Sequence, residues 1–152
     1  MLQIKNVVFD KGDYAYTIEY FDGHAVRKIS TNEEALQSLV IARAALANAL
    51  KNYMLINEVM SCRVNSVRFG KNEESASSVQ MTVWSGEKQM GVVSKIRTIS
   101  KSETFPDEQL VSCNVCVNDL RGEVEKYING GRAQQELSFD DAPEDVEDAE
   151  AQ

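Results

Sequence analysis

Residues 31–54 constrain the fold of this chain more than any other stretch, because they have the pattern of one long amphipathic helix. Thr31 and Glu34 match a capping box, a pair of side chains that satisfies two backbone N–H groups at a helix start. Apolar residues recur at helical spacing and form one stripe that only Arg43 interrupts: Leu36, Leu39, Val40, Leu46, Ala47, Leu50, Tyr53 and Met54. A helix roughly 35 Å long needs a flat apolar partner, and the flanking segments predict that this partner is a β-sheet.

Segments with β-strand character lie on both sides of this helix. Strands are predicted at residues 3–9, 14–21 and 25–30 before it and at 59–69, 79–84 and 90–99 after it, with turns or loops at 11–13, 70–78 and 85–88. Asp22-Gly23 predicts a tight hairpin. Pro106, followed by two acidic residues, predicts the start of a second helix, whose apolar stripe runs from Leu110 to Ile128 and ends at residues 129–131. The order βββα, twice, predicts an α+β fold: an antiparallel sheet, single or split, packed against two long helices.

Charge divides the chain into two parts. Residues 132–152 contain eight acidic residues and one basic residue, so this segment carries −7 of the net charge of −8 and leaves −1 for residues 1–131. A chain of 152 residues is one domain by its length. We therefore expect one α+β domain over residues 1–131, followed by a disordered or loosely attached acidic tail over residues 132–152.

Few residues are candidates for catalysis or metal binding. Cys113 and Cys116 form a CxxC pair inside a helical pattern, but zinc needs four ligands and no second pair exists. His24, the only histidine, follows a turn glycine and is expected to be solvated, as are the carboxylates near the first hairpin. Motifs of hydrolases, phosphate-binding loops and metalloproteases are absent. We therefore expect no enzyme activity, metal or cofactor.

The expected location is the cytoplasm of a host cell. Three cysteines, an odd number, argue against a disulfide framework and fit a reducing compartment. No apolar run of about 18 residues occurs, so no membrane-spanning helix is expected. Residues 1–5 lack the pattern of a secretory signal.

The polar side of the second strand group is the candidate binding site. Alternation places Gln80, Thr82 and Trp84 on one face of a strand, Lys95 and Arg97 on one face of the next, and Arg63 and Asn65 on one face of the preceding strand. If these faces coincide, Trp84 lies among cations on an open sheet and could stack on a base. Alternatively, Trp84 packs under a loop or against a second subunit. We favour the subunit contact, because residues 1–131 have little spare positive charge for nucleic acid.

The acidic tail resembles in layout the tails of bacterial and phage single-stranded DNA-binding proteins. The residues that carry this resemblance are Asp140, Asp141, Glu144, Asp145, Glu147 and Asp148. Tails of that family recruit replication and repair partners, and the resemblance implies the same role here. Those tails finish on a hydrophobic residue, usually Phe, whereas this chain finishes on Glu150, Ala151 and Gln152.

A second resemblance covers more of the chain. Three segments look like small uncharacterised phage and prophage proteins: residues 4–10 (IKNVVFD), 29–33 (ISTNE) and 125–134 (EKYINGGRAQ). That resemblance implies a setting, the accessory genes of mobile elements, but no specific activity.

Two functions from different classes follow. The first is a non-enzymatic phage or mobile-element accessory protein that binds a host nucleic-acid-processing or defence component, or its nucleotide signal, and that forms homo-oligomers. The alternative is a single-stranded nucleic-acid-binding protein that uses Trp84, Arg63, Lys95 and Arg97 and recruits partners through its tail. A structural component of the virion is a third hypothesis.

Overall fold

The fold is one six-stranded antiparallel sheet with the strand order β3-β2-β1-β4-β5-β6 and two long helices. The computed structural model describes residues 2–10, 15–31, 37–57, 60–71, 75–99 and 102–130, with the backbone alone at residues 10 and 15. Its elements are β1 (Gln3–Asp10), β2 (Ala15–Phe21), β3 (Val26–Thr31), α1 (Gln37–Tyr53), β4 (Ser61–Arg68), β5 (Ser77–Ser85), β6 (Lys88–Ile96) and α2 (Glu108–Ile128). The predicted α+β class and the order βββα, twice, are confirmed.

The sheet consists of two three-stranded halves that join along a short seam. β1 pairs with β4 through Asn6–Arg68, Val7–Val67 and Val8–Ser66 only, whereas the pairings within each half run nearly the whole length of the strands. Of the two arrangements left open by the sequence, the single sheet is therefore the observed one.

The core lies between one face of the sheet and the two helices. Alternate residues of the central strands face it, and Val7, Val67 and Val79 are completely buried there. α1 and α2 lie side by side, with the start of α1 near the last turns of α2, where the Ser38 hydroxyl donates to Glu123 Oε1 at 2.6 Å. Both helices thus cover the same side of the sheet.

α1 buries the stripe that the sequence predicts, with one correction. Leu39, Leu46, Ala47 and Leu50 are buried as expected, but Arg43, predicted as a break in the stripe, is buried too, at 5% exposure. Its Nε donates to the carbonyl oxygen of Val64 at 2.9 Å, and its guanidinium carbon lies 4.3 Å from the centre of the Phe9 ring. Because Val64 in β4 and Phe9 in β1 lie beyond the paired seam, Arg43 bridges the two halves of the sheet where backbone pairing stops.

The predicted start of the first helix is not supported at Thr31. This residue is the last of β3 and pairs with Tyr16, so the strand runs one residue further than expected. The other residues of the predicted capping box and first turn, Glu34 and Leu36, lie outside the described residues, as does the predicted turn at 11–13.

α2 begins and ends where its capping residues predict. The Asp107 carboxylate accepts a hydrogen bond from the Gln109 N–H at 2.8 Å, and Asn129 caps the C-terminus before Gly130, which has a φ of 103°. The buried stripe contains Leu110, Cys113, Val117, Leu120, Val124 and Tyr127, with Ile128 partly buried. Neither described helix is long and apolar enough to cross a membrane.

The hairpin between β2 and β3 forms at Asp22-Gly23, as predicted. One carboxylate oxygen of Asp22 accepts from the N–H groups of His24 and Ala25, both at 2.8 Å, and the other accepts from Arg27 Nε at 2.7 Å. Gly23 has a φ of 98°, which a side chain would disfavour. These hydrogen bonds hold the pKa of Asp22 well below its usual range.

Candidate functional site

The face of the sheet opposite the helices, which we call the open face, is not covered by any described element. Because partners across strands share a face, the register assigns to it Thr17, Glu19, Lys28, Arg63, Ser66, Arg68, Ser78, Gln80, Thr82, Trp84, Val93 and Lys95. None of these residues is fully buried, whereas their neighbours in sequence on β4 and β5 form the core.

Positive charge is concentrated on the open face. Of the residues that the register assigns to it, Lys28, Arg63, Arg68 and Lys95 are basic and Glu19 is acidic, and no ion pair joins any of these five among the described residues. Although the net charge of residues 1–131 is nearly neutral, the positive charges are therefore concentrated on one side of the sheet. This concentration removes the main objection to an anionic ligand.

Trp84 lies on the open face, as alternation predicts. Its neighbours Val83 and Met81 face the core and are almost fully buried, whereas Trp84 is half-buried. The guanidinium carbon of Arg63 lies 5.3 Å from the centre of the indole ring, and the indole Nε1 donates to Gln89 Oε1 at 3.1 Å. These two contacts fix the orientation of the ring and place a cation over one of its faces, so a base would stack on the opposite face.

Polar side chains continue from Trp84 along the middle of the open face. Asn65 Nδ2 donates to Thr82 Oγ1 at 2.6 Å, and the Ser66 hydroxyl donates to Gln80 Oε1 at 3.0 Å. The second bond orients the amide of Gln80, whose Nε2 has no partner among the described residues. Thr82 and Gln80 thus belong to cross-strand pairs that lie within one continuous polar surface.

A basic groove of about 440 Å³ lies at the far end of the open face. Lys5, Arg68, Lys71 and Lys95 line it together with Glu19. Lys5 reaches it because a β-bulge between Ile4 and Asn6 shifts the register of β1. From Ser78, at the groove, to Trp84 is six residues of β5, or about 20 Å of extended strand.

Arg97 does not join Lys95, although the sequence predicts that they share a face. β6 ends at Ile96, and Arg97 instead forms a bidentate ion pair with Glu103, in which both N···O distances are 3.0 Å. This hydrogen-bonded pair raises the pKa of Arg97. Its charge is therefore largely neutralised by Glu103 and is not part of the open face.

Arg68, Lys5 and Lys71 were not predicted as site residues. These three residues lie near Lys95 because of the seam between β1 and β4, where Asn6 pairs with Arg68. Only the alternation of Arg68 with the apolar Val67 and Phe69 pointed to its face, and that signal does not reveal which strand lies beside it.

A pocket of about 340 Å³ adjoins Trp84 where β1 and β4 are no longer paired. Most of its lining is apolar, but two arginines also border it; the lining residues are Val40, Arg43, Ala44, Ala47, Cys62, Arg63, Val64 and Trp84. The pocket gives the indole an accessible apolar neighbour at the end of the open face.

The cysteines have the character of packing residues. Burial raises the pKa of the Cys113 thiol to about 11 and also raises the pKa values of Cys62 and Cys116, so each thiol is disfavoured as a nucleophilic thiolate. Cys113 is completely buried in the core, which confirms that at least one of the CxxC cysteines is packed. Within the described ranges, no three His, Cys, Asp or Glu residues cluster in a way that could hold a metal ion.

The tail residues predicted to recruit partners, Asp140, Asp141, Glu144, Asp145, Glu147 and Asp148, lie outside the described residues. Comparison with protein-family models, curated proteins and solved structures finds no match to this chain. Function is therefore inferred from the chemistry of the open face.

Proposed function

We propose that this chain is a non-enzymatic binding protein whose open face binds single-stranded nucleic acid. The observation that carries the proposal is the placement of the only Trp and an excess of cations on the side of the sheet that no described element covers. Of the functions considered from the sequence, this arrangement favours the nucleic-acid alternative over the protein-binding hypothesis.

Electrostatics supplies the sequence-independent part of such binding. Arg63 lies at the Trp84 end of the open face and Arg68 and Lys95 at the groove end, so the cations are distributed along about 20 Å of surface. Each phosphate that a cation neutralises releases bound counterions, which makes the affinity fall with salt. A flexible single strand can follow such a line of charges.

Stacking supplies the second part. A base that stacks on the exposed part of Trp84 would contribute about 1–3 kcal/mol. Arg63 lies over one face of the ring, so a base that stacks on the other face would also have a cation nearby. Because every base has an aromatic face, this mode of binding favours no particular sequence.

A second candidate, contact with a protein, rests on a different observation. Val26 and Val93, both on the open face, are 54% and 65% exposed. Apolar side chains at the two edges of a sheet suit a second copy of this chain or a host nucleic-acid-processing or defence protein. The resemblance of residues 125–134 to phage proteins supports a phage accessory role in the host cytoplasm under either candidate.

Fluorescence anisotropy with a labelled oligothymidylate tests the proposal. The oligonucleotide should be longer than a typical single-strand binding site, which is about 4–16 nucleotides per domain. Trp84→Ala should weaken binding about 5- to 150-fold without changing the salt dependence. Arg68→Gln should weaken binding and reduce the slope of log K against log salt by about 0.7, the value for one phosphate contact.

Arg97→Ala is the matched control, because it removes an arginine that Glu103 already neutralises. It should leave the affinity and the slope nearly unchanged. The proposal is wrong if the oligonucleotide does not bind, or if Arg97→Ala weakens binding as much as Arg68→Gln does. A shift of Trp84→Ala towards smaller species in sedimentation velocity, without oligonucleotide binding by the parent protein, would instead support the subunit contact.

A further inference from the structure

A separate cavity of about 290 Å³ lies on the helix side of the sheet. Asn114, Val117, Asn118 and Arg121 line it from one face of α2, at the spacing i, i+3, i+4 and i+7. Ser77 at the start of β5 and Thr98 just after β6 lie opposite. The lining also includes the aliphatic Ile96 and Ile99, and Ser75 borders both this cavity and the basic groove of the open face.

Arg121 is the unusual residue of this cavity. Its side chain is half-buried, and no ion pair or hydrogen bond to it occurs among the described residues. The Nε atom is buried without a hydrogen-bond partner, and the guanidinium carbon lies 5.2 Å from the centre of the Phe69 ring. Burial lowers the pKa of Arg121, as expected for a cation without a counterion.

A buried donor without a partner calls for an explanation, and a bound anion is one. A guanidinium has five N–H donors in a planar fork that matches the oxygens of a phosphate. No acidic side chain is among the described residues that line the cavity, so no described carboxylate competes there with an anion. Glu73 and Glu74, which are close to Ser75 in sequence, lie outside the described residues.

Further donors surround Arg121. Ser77 Oγ accepts a hydrogen bond from the Gly70 N–H at 3.0 Å, which leaves its own proton for another acceptor. Thr98 supplies a second hydroxyl, and Asn118 supplies an amide that has no hydrogen bond among the described residues. Gly70 is needed for this arrangement, because a Cβ there would lie 2.3 Å from the carbonyl oxygen of Ser75, which also borders the cavity.

We infer that this cavity is an anion site for a phosphate group, held by the guanidinium of Arg121 and the hydroxyls of Ser77 and Thr98. The inference does not rest on the proposed function of the open face, because Arg121, Ser77 and Thr98 do not line the basic groove; among the described residues, Ser75 alone lines both. The phosphate has two possible sources, free inorganic phosphate and the terminal phosphomonoester of a nucleotide.

Phosphate binding measured by ³¹P NMR line width, in chloride buffer of constant ionic strength, tests the inference on the full chain. Inorganic phosphate should saturate one site per chain, and Arg121→Met should weaken its binding at least about tenfold. Met keeps an unbranched side chain beside Phe69. Arg27→Gln is the matched control, because Arg27 is an exposed arginine paired with Asp22 on the distant hairpin. It should bind phosphate like the parent protein.

Thr98→Val provides a second, nearly isosteric test that does not depend on the folding of the Arg121 variant. It should weaken phosphate binding several-fold. A nucleoside monophosphate that binds more tightly than phosphate, while the nucleoside does not bind, would identify a nucleotide as the source, and equal affinities would identify free phosphate. Arg68→Gln should leave these affinities unchanged, which separates this site from the open face.

Two results would overturn the inference. One is phosphate binding that is absent or not saturable in the parent protein, and the other is unchanged affinity in both Arg121→Met and Thr98→Val.

Discussion

Replacing Leu46 by Ala tests the packing of α1 against the sheet. Leu46 is 0% exposed and belongs to the core cluster formed by both helices and the sheet. The substitution removes three carbon atoms, worth about 0.8 kcal/mol each in transfer free energy, or about 2.4 kcal/mol. A cavity that does not fully collapse adds to this loss. We therefore expect the free energy of unfolding to fall by roughly 2–4 kcal/mol, a large part of the about 5–15 kcal/mol typical of a domain.

Equilibrium urea unfolding, followed by circular dichroism at the helix signal, measures this loss. Ile41 is the matched control, because it lies on the same helix at 58% exposure, and Ile41→Ala should change the free energy of unfolding by no more than about 0.5 kcal/mol. The slope of the transition should be the same for all three proteins. A loss below about 0.5 kcal/mol for Leu46→Ala, or equal losses for the two variants, would refute the assignment of the buried face.

Three further predictions concern the hairpin, the cysteines and the tail. Because hydrogen bonds lower the pKa of Asp22 in the folded state, Asp22→Asn should reduce stability above about pH 4, with the difference shrinking as the pH falls further; melting curves against pH measure this. The purified protein should contain no stoichiometric zinc by elemental analysis, and the Cys113→Ser, Cys116→Ser double variant should still fold; one zinc per chain would contradict this. Deleting residues 135–152 should leave the circular dichroism spectrum and Tm nearly unchanged, and a fall in Tm of about ten degrees or more would show that the tail is docked.

Patterns within single elements predicted most of the fold. The hairpin at Asp22 and the capped start of α2 depend on residues within a few positions of each other, and alternation along β5 placed Trp84 on the side opposite Met81. Each of these features follows from local backbone chemistry and from a two-sided sheet. The order of the elements then restricted the class to a sheet covered by two helices.

Features that depend on contacts between distant elements were not predictable. Arg43 was predicted to be a polar break in the stripe, because nothing near it in sequence shows that Val64 and Phe9 lie within its reach. Arg97 was predicted to share a strand face with Lys95, because the alternating pattern was extended beyond Ile96, the last residue of β6. Both errors arise where a strand stops pairing, and the position of such an end is set by tertiary contacts.

The net charge of residues 1–131 has a different meaning once the sheet register is known. From the sequence, the −1 of residues 1–131 argued against nucleic acid. Association, however, depends on the charge that a ligand meets and not on the total, since salt screens charges beyond about 10 Å. Charges on the helix side therefore count less for a ligand on the open face than Arg63, Arg68 and Lys95, which lie on that face. Sheet register, which sets the side of each strand residue, thus decides whether a nearly neutral domain can attract an anion.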